Sequence, residues 1–155
     1  MQKLVAIVCG SKNDLPVLEG TEALLKELGI SHEITVASAH RSPARVSEFC
    51  QRLPLDGTRV VIAAAGHAAH LAGVVASQTL LPVIGVPIPS SDLNGLDSLL
   101  AMVQMPGGIP VAVMALGKAG AKNAAIFAAQ ILAGDHPEIA AALAAHRHGL
   151  AQPGR

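Results

Sequence analysis

The chain has 155 residues, no net charge, 51% hydrophobic residues and 14% charged ones, where average domains carry about 25% charged. That length suits one domain with a real core. The neutral balance offers no basic stripe for nucleic acid, and two Phe with no Tyr or Trp exclude a base-stacking platform.

The core must therefore come from Ala, Val, Leu and Ile, and the scarcity of charge predicts apolar surface buried between subunits. Strand and helix patterns alternate along the chain. LVAIVC (4–9) is a continuous apolar run, the mark of a strand covered on both faces. Asp14 is expected to cap a helix with Pro16 in its first turn, running to about Leu28 and stopped by Gly29. EITVA (33–37) reads as the second strand. Ser42 then caps, and Pro43 opens, a helix to about Arg52. TRVVIAAA (58–65) is the third strand, and GHAAHLAG starts a helix through about Thr79. PVIGV (82–86) and IPVAVMAL (109–116) are the fourth and fifth strands. Helices over 94–104 and 120–133 follow them, and a last helix spans about 136–147 before a frayed tail. One domain over 1–155 is expected, its core over about 3–133 and its last helix packing on a neighbouring subunit.

Residues 60–76 are apolar but hold His67, His70 and glycines, so they read as strand, turn and helix rather than a membrane span. The start of the chain has no signal-peptide pattern. Cys9 and Cys50 lack metal-ligand spacing and suggest a reduced, cytoplasmic protein, with Cys9 acting as a small core hydrophobe.

Five strands alternating with helices predict an α/β fold: a parallel sheet with helices on both faces. Such sheets bind ligands at the carboxyl ends of their strands. The informative loops are then GSKND (10–14), SAHRSP (38–43) and AGHAAHLAG (65–73). Each hands a strand over to a helix whose first N–H groups favour an anion. Ser11 and Ser38 offer hydroxyls, Arg41 a fixed fork for phosphate or carboxylate, and Asp14 an acceptor for ribose hydroxyls. Taken singly, these residues are common turn and cap residues; three such loops on one edge point to a site for a phosphorylated sugar. His40 titrates near neutrality and suits proton transfer, and Arg41 beside it is expected to favour the neutral imidazole. His67 and His70 share a face at a helix start. As a metal pair they would need His40 to complete the set, so packing or substrate contact is the stronger reading. No dinucleotide, P-loop or nucleophile-elbow motif is present, so neither a dinucleotide nor ATP is expected.

In order, the motifs GSxxD, SAHR, AGxAAHLxG, GVP, GLDSLL, QMPxGIPVA and GKAGAxNAA resemble the N-carboxyaminoimidazole ribonucleotide mutases of purine biosynthesis, from about Leu4 to Ala133. The resemblance implies a three-layer flavodoxin-like sheet with an extra C-terminal helix, and a cytoplasmic homo-octamer with active sites between subunits. It implies a mutase that moves a carboxylate from the exocyclic amine to the adjacent ring carbon through trapped carbon dioxide, without a metal or organic cofactor. By the same resemblance His40 is the general acid and base. Gly10, Ser11, Asp14, Ser38, Ala39 and Arg41 contact the nucleotide, and Gly66, Ala68, His70 and Leu71 cover the base.

The chain departs from the family pattern at several points. Asn13 replaces a serine, Ala72 a proline and Val113 a threonine. His67 stands where a glycine is usual, so that position is expected not to need positive φ, and it becomes a candidate modulator of the loop. A sister class carboxylates aminoimidazole ribonucleotide directly and usually carries SAHK and AGRSNxLSG. Arg41 and AAHL favour the mutase, while His67 keeps the carboxylase as the alternative. A non-catalytic nucleotide-binding module would keep Ser11, Asp14 and Arg41 without needing His40.

Overall fold

The computed structural model describes residues 3–152. Its strands are β1 (Val5–Cys9), β2 (His32–Val36), β3 (Val60–Gly66), β4 (Val83–Ile88) and β5 (Ala112–Val113). Its helices are α1 (Leu15–Glu27), α2 (Pro43–Arg52), α3 (Leu71–Ala76), α4 (Leu96–Val103), α5 (Gly117–Leu132) and α6 (Pro137–Leu150). All strand pairings are parallel and the order is β2-β1-β3-β4-β5, which is the flavodoxin-like arrangement. No helix among the described residues is long and apolar enough to cross a membrane.

The alternation within the central strands sorts the core into two layers. Val5, Ile7, Cys9, Val60, Ile62 and Ala64 face α1, α5 and α6, whereas Ala6, Val8, Val61, Ala63 and Ala65 face α2, α3 and α4. β1, β3 and β4 are buried along almost their whole length, as their unbroken apolar runs predict. Alanines 121, 124, 125, 128 and 129 make the inner face of α5 and are fully buried, so small side chains set how closely the helix lies on the sheet.

Several boundaries differ from expectation. β5 pairs through only two residues, not eight, because Pro110 has no N–H to give and the turn at Gly108 (φ 98°) delays the pairing. α3 ends at Ala76 rather than about Thr79, with the Ser77 hydroxyl turned back onto the Val74 carbonyl. α5 begins at Gly117 instead of 120, and α6 runs on to Leu150. α6 packs on its own chain, with Ile139 buried in the α1/α5 layer and His146 bonded to Glu27. The rest of the expected frayed tail, 153–155, lies outside the described residues.

Gly120, within α5, shows steric demand overriding helix propensity. Alanine is worth about 1 kcal/mol over glycine inside a helix, yet a Cβ here would lie 1.6 Å from the Ala115 carbonyl oxygen. The backbone must move to admit it. Gly120→Ala is therefore expected to destabilise by about 2 kcal/mol or more, read as a lower urea midpoint; an unchanged or raised midpoint would contradict this packing.

Candidate active site

The strand order reverses direction between β1 and β3, so the loops after them diverge and leave a crevice at their carboxyl ends. The loop after β1 is held by two reciprocal bonds. Asn13 N–H donates to Ser11 Oγ at 3.2 Å, and Ser11 N–H donates to Asp14 Oδ2 at 2.9 Å. Asp14 does precede α1, but its carboxylate caps this turn and not the helix. Burial pushes the Asp14 carboxyl up from its ordinary range, against the opposing pull of the Ser11 and Gly10 N–H groups and of Arg41 and His67. Cys9 behind it is fully buried, and burial raises its thiol to about 11, which keeps it a neutral core group.

The loop after β2 closes on itself in the same way. Ser38 N–H donates to Ser42 Oγ at 3.0 Å, Ser42 Oγ–H donates back to the Ser38 carbonyl at 3.2 Å, and Arg41 N–H donates to Ser38 Oγ at 3.2 Å. Ser42 occupies the N-cap position of α2, as expected, but its hydroxyl serves this loop instead of the helix; Pro43 does open the helix. The Arg41 guanidinium reaches across to the Gly10 carbonyl at 3.4 Å and ties the two loops together.

The side chain that meets His40 is therefore His70, not Arg41. His40 Nε2 and His70 Nδ1 are 2.9 Å apart, with the rings edge to face at 5.0 Å and 82°. One nitrogen must carry the shared proton and the other accept it. The pair thus defines a proton position at the mouth of the crevice. His70 is also the residue preceding α3.

His67 overturns an expectation. Its φ is +54°, so the position does adopt the left-handed conformation, which costs a β-carbon-bearing residue about 1–2 kcal/mol. A bond of 3.0 Å between His67 Nδ1 and Ser90 Oγ offsets part of that cost. Among the described residues no three His, Cys, Asp or Glu side chains are grouped to hold a metal ion.

These loops enclose a cavity of about 320 Å³, at the lower end for small-ligand sites. Gly10, Ser11, Asp14, Ser38, Ala39, His40, Arg41, Gly66, His67, Ala68, His70 and Leu71 all line it. Ala65 and Ser90 also line it and were missed. Ser90 follows β4, so the rule that selected the first three loops extends to the fourth. An adjoining cleft shares Gly10, Ser11, Ser38 and Arg41 and adds Lys12 and Arg45. Those two cations were also missed, although each lies within a few residues of a chosen loop. Three cations thus gather at the β1/β2 end of the crevice, while the imidazoles lie further towards β3 and β4.

Fold and site together define a flavodoxin-like α/β protein with three cationic side chains at one end of its crevice and paired imidazoles beside it. The AIR carboxylase family model matches residues 4–152. A relative from Pyrococcus horikoshii named N5-carboxyaminoimidazole ribonucleotide mutase is 54% identical over 88% of this chain and 76% of its own. The protein of that name from Escherichia coli is 49% identical over 87% and 80%. The crystal structure of Treponema denticola PurE superposes with a TM-score of 0.88 at 31% identity, over 97% of this chain and 93% of its own. The chain belongs to the AIR carboxylase family.

The raised carboxyl of Asp14 has a stability consequence of definite sign. A carboxyl whose folded pKa lies above its unfolded value stabilises the fold at low pH, and that contribution is lost as pH rises through the folded pKa. Asp14→Asn is therefore expected to melt higher than wild type at pH 7. The gain should shrink as pH falls towards 3.8, the ordinary value for this group. Thermal melts at both pH values check this, and a variant that melts lower at pH 7 would refute it.

Proposed function

We propose that this chain converts N5-carboxyaminoimidazole ribonucleotide to the ring-carboxylated aminoimidazole ribonucleotide of purine biosynthesis, with His40 as the general acid and base. The observation that carries the reading is His40 itself, placed beside a cation-rimmed cleft in a chain about half identical to proteins named for this reaction.

Lys12, Arg41 and Arg45 line the cleft that suits the 5′-phosphate, where charge-assisted bonds are short and strong. Asp14 and Ser11 stand between that cleft and the imidazoles, within reach of a ribose. Anchoring the nucleotide at one end fixes the base against His40 at the other, and positioning of this kind supplies much of an enzyme's rate.

The carbamate N–C bond then breaks, its electron pair stays on the exocyclic nitrogen, and His40 delivers a proton there. Carbon dioxide is released into the cavity, whose lining includes the apolar side chains of Ala39, Ala65, Ala68 and Leu71. The adjacent ring carbon attacks it, forming the new C–C bond. The proton displaced from that carbon returns to His40, so the cycle consumes no net proton. His70, bonded to His40, orients the ring and can hold the proton between the two transfers.

The assembly is proposed to be a cytoplasmic homo-octamer. Leu55, Leu80, Leu93, Leu96 and Leu100 are more than half exposed on one chain, the apolar excess that a buried interface accounts for.

Two substrates offered separately test the reading. Rapid ring-carboxylated product from the carboxyamino nucleotide without bicarbonate establishes the mutase. Product only from aminoimidazole ribonucleotide with bicarbonate would make the protein a direct carboxylase. His40→Asn is expected to lower kcat by about 10²- to 10⁴-fold while calorimetry shows product binding near the wild-type level; normal turnover would remove His40 from its role.

A further inference from the structure

Among the described residues, two that are not glycine adopt positive φ: Asn94 at 52° and His67 at 54°. Asn94 sits in a turn, and asparagine tolerates that conformation. His67 bears a bulkier ring, is bonded through it to Ser90 and lines the cavity. A strained side chain persists where its surroundings over-determine it, and those surroundings are visible. Ser90 packs so closely over Gly66 that a Cβ at Gly66 would meet Ser90 Oγ at 1.9 Å. That hydroxyl in turn holds His67 Nδ1 at 3.0 Å. Gly66, Ser90 and His67 thus form one contact that joins the ends of β3 and β4 and fixes the ring.

With Nδ1 engaged, Nε2 is the free ring nitrogen and has no protein partner among the described residues. The cations line the cleft beyond β1 and β2, whereas His67 and Ser90 lie beyond β3 and β4. A nucleotide whose phosphate occupies that cleft directs its base towards His67. The electrostatic neighbours of the ring are Asp14 in the loop after β1 and Asp97 in the first turn of α4. A ring whose Nδ1 is engaged by Ser90 leaves Nε2–H to donate into the cavity, and a carboxylate on the base is the acceptor the proposed substrate brings.

We infer that His67 is a specificity-determining residue that hydrogen-bonds the carboxylate on the base through Nε2–H, with Ser90 donating to Nδ1 and so selecting that tautomer. The inference rests on the proposed substrate, but its test does not need turnover.

Calorimetry with two nucleotides reads it directly: ring-carboxylated aminoimidazole ribonucleotide, and the same nucleotide without the carboxylate. In His67→Gly the first is expected to bind about tenfold more weakly, the usual scale for losing a hydrogen bond to a charged group. The second should bind as it does to wild type. Ser90→Ala should move in the same direction by a smaller factor. Glycine adopts this φ freely, so His67→Gly should melt no lower than wild type and the loss cannot be laid to unfolding. Equal weakening for both nucleotides, or none for either, overturns the inference. The two readings also fail separately. A wild-type protein without mutase turnover but with carboxylate-selective loss in His67→Gly refutes the reaction and keeps His67. Normal turnover with no selective loss does the reverse.

Discussion

The feature on which the rest depends is the reversal of strand order between β1 and β3. A parallel sheet built outwards from one strand in both directions must send the two adjoining loops to opposite faces, and the gap between them cannot be filled by either. The residues that line the cavity gather around that gap. Gly10 and Asp14 follow β1, Ser38 to Arg41 follow β2, Gly66 ends β3 with His67 to Leu71 after it, and Ser90 follows β4. Four segments far apart in sequence meet because the sheet is parallel and all its strands end on the same edge.

The composition lets the layers beneath that edge pack closely. With only two Phe and no Tyr or Trp in the chain, α5 presents alanines to the sheet and α1 packs closely beside it. Interiors packed to crystal-like density transmit displacement rather than absorb it. The loops carrying Ser11 and Ser38 are tied by short reciprocal bonds to their own backbones, and Arg41 joins one loop to the other. Hydroxyls that a sequence pattern assigns to helix caps are used instead to hold the loop shape. Helix starts near the crevice keep N–H groups that their expected side-chain caps do not take, which is the condition an anion site needs.

This division marks what was legible in the sequence. Unbroken apolar runs identified the buried strands, and Gly29 and Pro43 marked a helix end and a helix start, because those signals act over a few residues. The edge strand β5 was overestimated because its apolar run continues past the point where Pro110 and the preceding turn spoil the pairing. The loops could be chosen from topology alone, and the residues chosen do converge on one cavity. The partners of Asp14 and Ser42 could not be read, since competing local bonds differ by about the value of a single hydrogen bond. The His40–His70 contact spans 30 residues and leaves no trace in either loop's own pattern.

His67 shows the limit most clearly. A bulky residue at a position glycine usually fills suggested a relaxed backbone, since a β-carbon penalises positive φ. The local penalty alone does not decide the conformation. The structure keeps the conformation and adds a contact to Ser90, 23 residues away, whose own placement requires that Gly66 have no side chain. Local rules fail where a distant partner contributes as much as the local term, and such places cluster where a chain holds a group for use. His67, strained and lining the crevice, is accordingly more informative about its chemistry than the many residues that obey the rules.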